Sequence, residues 1–307
     1  MYYFIINPKS SSGKGLKIWN KCVSILDARG VKYQPFFLEG PGDATRIAAY
    51  IYESLTPCTA IVLGGDGTIN EFLTGLPGFD GITFAYIPTG SGNDFARDMN
   101  LPPRPEDLLE MILDGQNTRT INVGITASGD ESRSFAVSSG IGFDAAVCHA
   151  CISGDLRIKK LLNTLHLGKL IYLVNALRML FSMHFFRMRV ITDDGQTLTF
   201  DKVCFAAAMN TRFEGGGFMF APQASPEDDA LDLIIAEGLP KWKILMLLPT
   251  AFSGRHVHHK GIHIIRCGRA DISADLAQCV HTDGEHFGFC KKVSFSLRPE
   301  RLKMIVR

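Results

Sequence analysis

Residues 62–72, VLGGDGTINEF, place a glycine-rich turn between an apolar run and a helical pattern. The first N–H groups of a helix are unpaired and its dipole favours anions. Gly64, Gly65, Gly67 and Thr68 could therefore cradle phosphate, with Ile69, Asn70 and Glu71 following on the helix. Asp66 sets a carboxylate inside that cradle. A negative charge beside phosphates makes sense when a divalent cation lies between them, since Mg2+ uses few carboxylates together with phosphate oxygens and water. The turn thus suits a nucleotide polyphosphate with its metal, and the alternative is a tight strand-to-helix turn with a capping aspartate. Thr68 and Glu71 have capping-box spacing, which starts the helix at Thr68 and leaves Asp66 just outside it.

A second turn, Pro88-Thr89-Gly90-Ser91-Gly92-Asn93-Asp94, also follows an apolar strand and precedes a helix. Ser91 offers a hydroxyl to a phosphate, and Asp94 adds a second carboxylate. Two such turns at the C-terminal ends of strands in one parallel sheet lie where open α/β folds bind ligands. A third stretch, Asn7-Pro8-Lys9-Ser10-Ser11-Ser12-Gly13-Lys14-Gly15, is not a P-loop. Pro8 stands where that motif needs glycine, and Gly15 follows Lys14 where it needs Ser or Thr. It remains a polar loop able to donate N–H groups. Late in the chain, Asp283-Gly284-Glu285 offers carboxylates that could take a proton from a hydroxyl during phosphoryl transfer. By spacing alone the triplet is more often a surface turn.

The elements that must position these residues follow from periodicity. Tyr2–Ile6, Val31–Leu38, Thr59–Leu63 and Ile82–Ile87 read as strands. Helical spacing separates them at Leu16/Trp19/Val23/Leu26, Ile47/Ile51/Leu55 and Ile69/Phe72/Leu76, and returns at Leu108–Leu113. Alternation of this kind gives a doubly wound α/β domain with a mainly parallel sheet. Beyond Asn122 strands predominate, and Asp193-Asp194-Gly195 marks a hairpin. The expected boundaries are 1–122, with 291–307 as an optional return to that domain, and 123–290 for a mainly antiparallel β-domain. That second domain is interrupted by a helical insertion at 156–186 and a shorter helix near 241–252.

Composition bounds the partners. The chain has 307 residues, 46% hydrophobic, with a net charge of +1. That is enough to bury a core, and no global charge calls for nucleic acid. Eight scattered cysteines fit a reducing compartment rather than a disulfide framework. The N-terminus does not read as a signal peptide, and Lys169 and Arg178 break the most apolar segment below the ~18 residues of a spanning helix. The expectation is a cytoplasmic protein that touches the inner face of the membrane peripherally. Residues 156–189 contain Arg157, Lys159, Lys160, Lys169, Arg178, Arg187 and Arg189 and no acid, as an anionic membrane surface requires. A buried helix pair with basic ends is the alternative. Cys148/Cys151 and His256/His258/His259 read as structural rather than metal-binding. Homodimerisation is compatible with the sequence.

NPKSSSG, GGDGTINE, PTGSGNDFAR, GIGFDA (140–145), NTRFEGGG (210–217), APQASPEDDALD (221–232) and HTDGE (281–285) occur in one order along the chain. That set resembles the diacylglycerol kinase and long-chain-base kinase family of lipid kinases, the small soluble bacterial members above all, over nearly the whole length. The resemblance implies an NAD-kinase/phosphofructokinase-like α/β domain and a β-sandwich, with ATP in the cleft between them. Asn7 to Ser11, Gly65 to Glu71 and Ser91 would line the ATP site. Asp66 and Asp94 would support the metal network. Asp228 would bind a structural Mg2+ with groups at Ser225 and Ala230, and Glu285 beside Asp283 would be the base on the lipid hydroxyl. Three departures are visible. Asp229 stands where glycine is common, Asn122 where Asp is common, and Leu38 where some members carry threonine. A diacylglycerol-like acceptor is expected. A soluble NAD kinase and a catalytically weak lipid-binding regulator are the competing readings.

Overall fold

The computed structural model describes residues 1–153 and 180–307. The basic segment 156–178 lies outside the described residues. Strands β1 (Tyr2–Ile6), β2 (Tyr33–Phe37), β3 (Cys58–Gly64) and β4 (Ile82–Pro88) form the parallel part of a six-stranded sheet. Its order is β2-β1-β3-β4, then the last strand of the chain, Leu302–Ile305, then Thr118–Ile121. The last strand runs parallel to β4 and antiparallel to Thr118–Ile121. β1, β3 and β4 are apolar on both faces because both are covered, while the edge strand β2 is half exposed. One face packs Ile47, Ile51, Phe72 and Phe84, and the other packs Trp19, Leu26, Leu108 and Ile112.

Helices α1 (Ser10–Ala28), α2 (Asp43–Ser54), α3 (Asp66–Gly75), α4 (Asp94–Asp98) and α5 (Pro105–Asp114) alternate with these strands. α3 starts at Asp66 with Gly65 as its cap, two residues before the start expected from the Thr68/Glu71 spacing. The capping box does not form. Asn7 donates to the Thr68 hydroxyl, and the Glu71 carboxylate accepts the Gly42 N–H instead. Tertiary partners outcompete the local cap, and Asp66 sits inside the first turn.

The second domain is an antiparallel nine-stranded sheet folded as a β-sandwich. Its strands β6 (Gly124–Ser128), β7 (Glu131–Phe135) and β8 (Ser138–Gly142) precede helix α6 (Phe143–Ser153). Phe186–Thr192 and Thr197–Met209 form the hairpin signalled by Asp193-Asp194-Gly195, and Gly195 takes the positive φ of 81° that the turn needs. Long strands Arg269–Thr282 and Glu285–Leu297 pair through register shifts at Ser273/Gln278 and Val280/His281, bending around a core of Phe135, Phe295, Val280 and Leu233. Residues 291–297 therefore belong to the second sheet, and only the final strand returns to the first.

Candidate active site

Three loops meet at the C-terminal ends of β1, β3 and β4. Asn7 N–H donates to Leu63 O, Thr89 N–H to Gly64 O, and the Ser10 and Thr89 hydroxyls pair at 2.6 Å. Ser11, Ser12 and Gly13 take left-handed backbone, so the 7–15 stretch loops before the continuous part of α1. Pro8 begins that loop, and Lys9 Nζ reaches out to Glu39 O at 2.8 Å. Two glycines are fixed by contact. A Cβ at Gly64 would lie 2.5 Å from the Thr68 side chain, and one at Gly90 would lie 2.8 Å from the Gly65 Cα. The two turns thus touch backbone to backbone, which only glycine permits. Ile69 is buried in the core and Ser91 is exposed. Leu38 is buried at the end of β2, its N–H bonded to Ile6 O.

Asp66 and Asp94 converge over this junction. A Cβ at Gly92 would meet Asp66 Oδ2 at 3.4 Å and Asp94 Oδ2 at 3.6 Å. Asp94 is held by the Arg97 guanidinium and by the Gly216 N–H at 2.7 Å, so the 210–217 loop of the second domain closes onto the first. Asn93 sits at φ 53° and donates to Gly90 O. Asp66 accepts the Asp94 N–H through Oδ2, while its Oδ1 is buried without any partner. Burial, then the nearby Asp94 and Asp283 charges, push its carboxyl up to about 7.

The Asp283-Gly284 turn is a two-residue hairpin with φ of 48° and 83°, driven into the domain interface rather than lying on the surface. Asp283 is fully engaged. Oδ1 accepts the N–H groups of Val137 and Ser138, and Oδ2 accepts those of Ala136 and the Asn70 side chain. With its oxygens occupied, it positions the hairpin that carries Glu285. Glu285 is the free member of the triplet. A Cβ on Gly67 would stand 2.5 Å from its Oε1, so it faces the first turn of α3 beside Asp66. Burial raises its carboxyl above the ordinary range, with Arg133 opposing.

The sequence reading missed a buried triad behind the hairpin. His281 Nε2 lies 3.3 Å from Asp144 and 3.2 Å from Glu214. Burial disfavours a charged ring and the two carboxylates favour it. The carboxylates outweigh burial and raise the ring to about 10, and the Gly284 N–H approaches Nδ1 at 3.0 Å. All three residues lie in GIGFDA, NTRFEGGG and HTDGE, but nothing in their wide separation says that they meet.

In the Ser225/Asp228/Ala230 group the side-chain oxygens are engaged by protein partners. Asp228 Oδ2 is 2.8 Å from the Arg266 guanidinium, its Oδ1 takes the Ala230 N–H, and the Ser225 hydroxyl holds the Glu227 N–H. Asp229 adopts φ 59°, as the replaced glycine requires, and pairs twice with the Asn122 amide at 2.9 and 3.1 Å, with Arg301 at 3.6 Å. Arg212 likewise covers Asp98 at 2.8 Å. Guanidinium groups thus face both Asp228 and Asp229.

Fold and cleft together define a two-domain phosphotransferase architecture, and the comparisons narrow it. The diacylglycerol kinase catalytic domain matches residues 1–125, and the YegS C-terminal NAD kinase beta sandwich-like domain matches residues 142–306. YtlR of Bacillus subtilis, named as a candidate lipid kinase, is 31% identical over 98% of this chain and 99% of its own. The diacylglycerol kinase of Mycobacterium tuberculosis is 30% identical over 92% of this chain and 87% of its own. A solved Bacillus anthracis structure described as a candidate diacylglycerol kinase superposes with a TM-score of 0.79 at 22% identity, covering 100% of this chain and 95% of its own. An ATP complex of the Archaeoglobus fulgidus NAD kinase reaches 0.52 at 11% identity, covering 99% of this chain and 93% of its own, and shares the fold alone. The chain belongs to the diacylglycerol kinase family of lipid kinases.

Proposed function

We propose that the protein transfers the γ-phosphoryl group of ATP to the hydroxyl of a diacylglycerol-like lipid. The observation that carries this reading is the meeting of Glu285 with the first turn of α3, a free carboxylate beside the phosphate cradle. The Asp66 and Gly67 N–H groups at the start of α3 bind phosphate oxygens, and the Ser91 hydroxyl faces the same ligand. The orphaned Asp66 Oδ1, a hard oxygen beside a second carboxylate, fits Mg2+ brought with the nucleotide. That ion, when bound, neutralises charge on the phosphates. Glu285 accepts the hydroxyl proton as the new P–O bond forms and the bond to the ADP oxygen breaks. Asp283, Asn70 and the 136–138 backbone hold Glu285 in place, and Asp94 with Arg97 and Gly216 keeps the domains closed.

The test incubates the protein, Mg2+ and labelled ATP with mixed micelles of diacylglycerol, a long-chain base, a polyprenol or phosphatidylglycerol, and separately with NAD. Label in organic-extractable phosphatidate supports the reading. Label confined to NADP, or ATP binding without a labelled product, overturns it.

A further inference from the structure

Helix α7 (Lys241–Ala251, KWKILMLLPTA) is apolar almost all round, yet only Ala251 is buried. A helix of that composition normally lies inside a core or against lipid. Its inner side is accounted for, because Ile244 and Leu247 pack on the Phe205/Met209/Ile234 cluster. Its outer side is not. Trp242, Met246 and Pro249 are exposed at i, i+4 and i+7, with Trp242 61% and Met246 67% accessible. Phe252 continues the stripe at 56% and stacks on Phe218, and Phe181 stands open beside the helix at 66%. The lysines flank the tryptophan at the N-terminal end, where Lys241 also donates to Phe181 O and Met183 O. From Gly238 to Lys260 the chain carries Lys241, Lys243, Arg255 and Lys260 and no acid.

We infer that the outer face of α7 docks on an anionic lipid bilayer. Trp242 would sit at the headgroup level, Met246 and Phe252 would enter the acyl boundary, and Lys243 would face the phosphates. The charge complementarity favours this occupant over a second copy of the chain, whose same face would carry the same cations. The inference draws on the lipid-kinase reading, because an enzyme whose acceptor resides in a membrane needs such a face.

The chain has two tryptophans, and the other, Trp19, is 4% exposed. Trp19→Phe therefore leaves Trp242 as the sole reporter. Binding is measured without ATP, on vesicles of phosphatidylcholine alone or mixed with phosphatidylglycerol and containing no diacylglycerol. This outcome is thus independent of whether the protein phosphorylates any lipid. The expected result is a blue shift of Trp242 emission, and quenching by brominated acyl chains, with the mixed vesicles only. The double variant Trp242→Ser/Met246→Ser should weaken vesicle binding about tenfold, and Lys243→Glu should remove much of its salt dependence. Unchanged vesicle binding in the double variant overturns the inference. So does a Trp242 emission that is already blue and shielded from acrylamide before lipid is added. Light scattering then tells whether a second copy covers the face.

Discussion

Two of the carboxylate clusters among the described residues are built in opposite ways. Around Asp228 and Asp229, three acidic groups have partners of their own: Arg266 on Asp228, the Asn122 amide and Arg301 on Asp229, Arg119 on Glu227, while Asp232 beside them is raised by burial with Arg266 opposing. Around Asp66, burial and like charge accumulate without a matching cation. Asp66 keeps an orphaned buried oxygen, Glu285 is raised by burial more than Arg133 lowers it, and Asp94 is paired with Arg97. Leaving a buried carboxylate unpaired costs several kcal/mol, so folds pair such groups unless something else arrives to do so. The paired cluster behaves as a structural seam, and the unpaired one as a site that awaits a cation with its ligand.

The largest expected effect tests the unpaired cluster. Asp66→Asn keeps the size and the Asp94 N–H contact while removing the charge. Turnover should be abolished with circular dichroism and melting temperature close to the parent. The stability of the variant should even rise slightly, because the buried repulsion with Asp94 and Asp283 is relieved. Activity above about a tenth of the parent, only ~1.4 kcal/mol of barrier, would remove Asp66 from the chemistry.

Next in size is the hinge between the domains. Asp283→Ala leaves the N–H groups of Ala136, Val137 and Ser138 and the Asn70 amide without their acceptor inside the interface. Leaving buried donors of this kind without an acceptor costs about 1–3 kcal/mol each. Asp283→Asn keeps one oxygen and should fall between parent and alanine variant. Urea unfolding midpoints measure both. A loss below about 1 kcal/mol for the alanine variant would mean that the hairpin is held by something else.

Much of this arrangement was legible before any coordinates, and the reasons differ by residue. The parallel sheet was readable because β3 and β4 are continuous apolar runs, which buried parallel strands must be. Asp66 and Asp94 were readable because each sits in a glycine turn at a strand end, a local pattern. The positive φ at Asp229 was readable from the residue type it replaced. The start of α3 was not, because Asn7 and Gly42, distant in sequence, took the groups that a capping box would have used. Asp283 showed the same limit. Its triplet is a two-residue turn by every local sign, and its burial depends on strands more than a hundred residues away. Arg266, Arg301 and Arg212 carried no signal, since a lone arginine on a strand or loop does not announce which carboxylate it will cover.

The smallest effect expected is a null, and it tests the paired cluster most directly. If guanidinium groups already satisfy Asp228 and Asp229, the nucleotide-free protein should melt at the same temperature in millimolar Mg2+ and in EDTA. Arg266→Met should cost little, because the Arg266 side chain is 52% exposed and such pairs contribute about 0.2–1 kcal/mol. The informative quantity is the interaction between the two changes. Without Arg266, Asp228 keeps a free oxygen and a backbone carbonyl that the guanidinium had bound, and Mg2+ gains a place to sit. The melting temperature of Arg266→Met should then rise with Mg2+ while the parent stays flat. A parent that gains several degrees from Mg2+ without nucleotide would show that this loop holds a resident ion after all. The contrast between the two carboxylate clusters would then be one of occupancy, with a divalent ion expected in each.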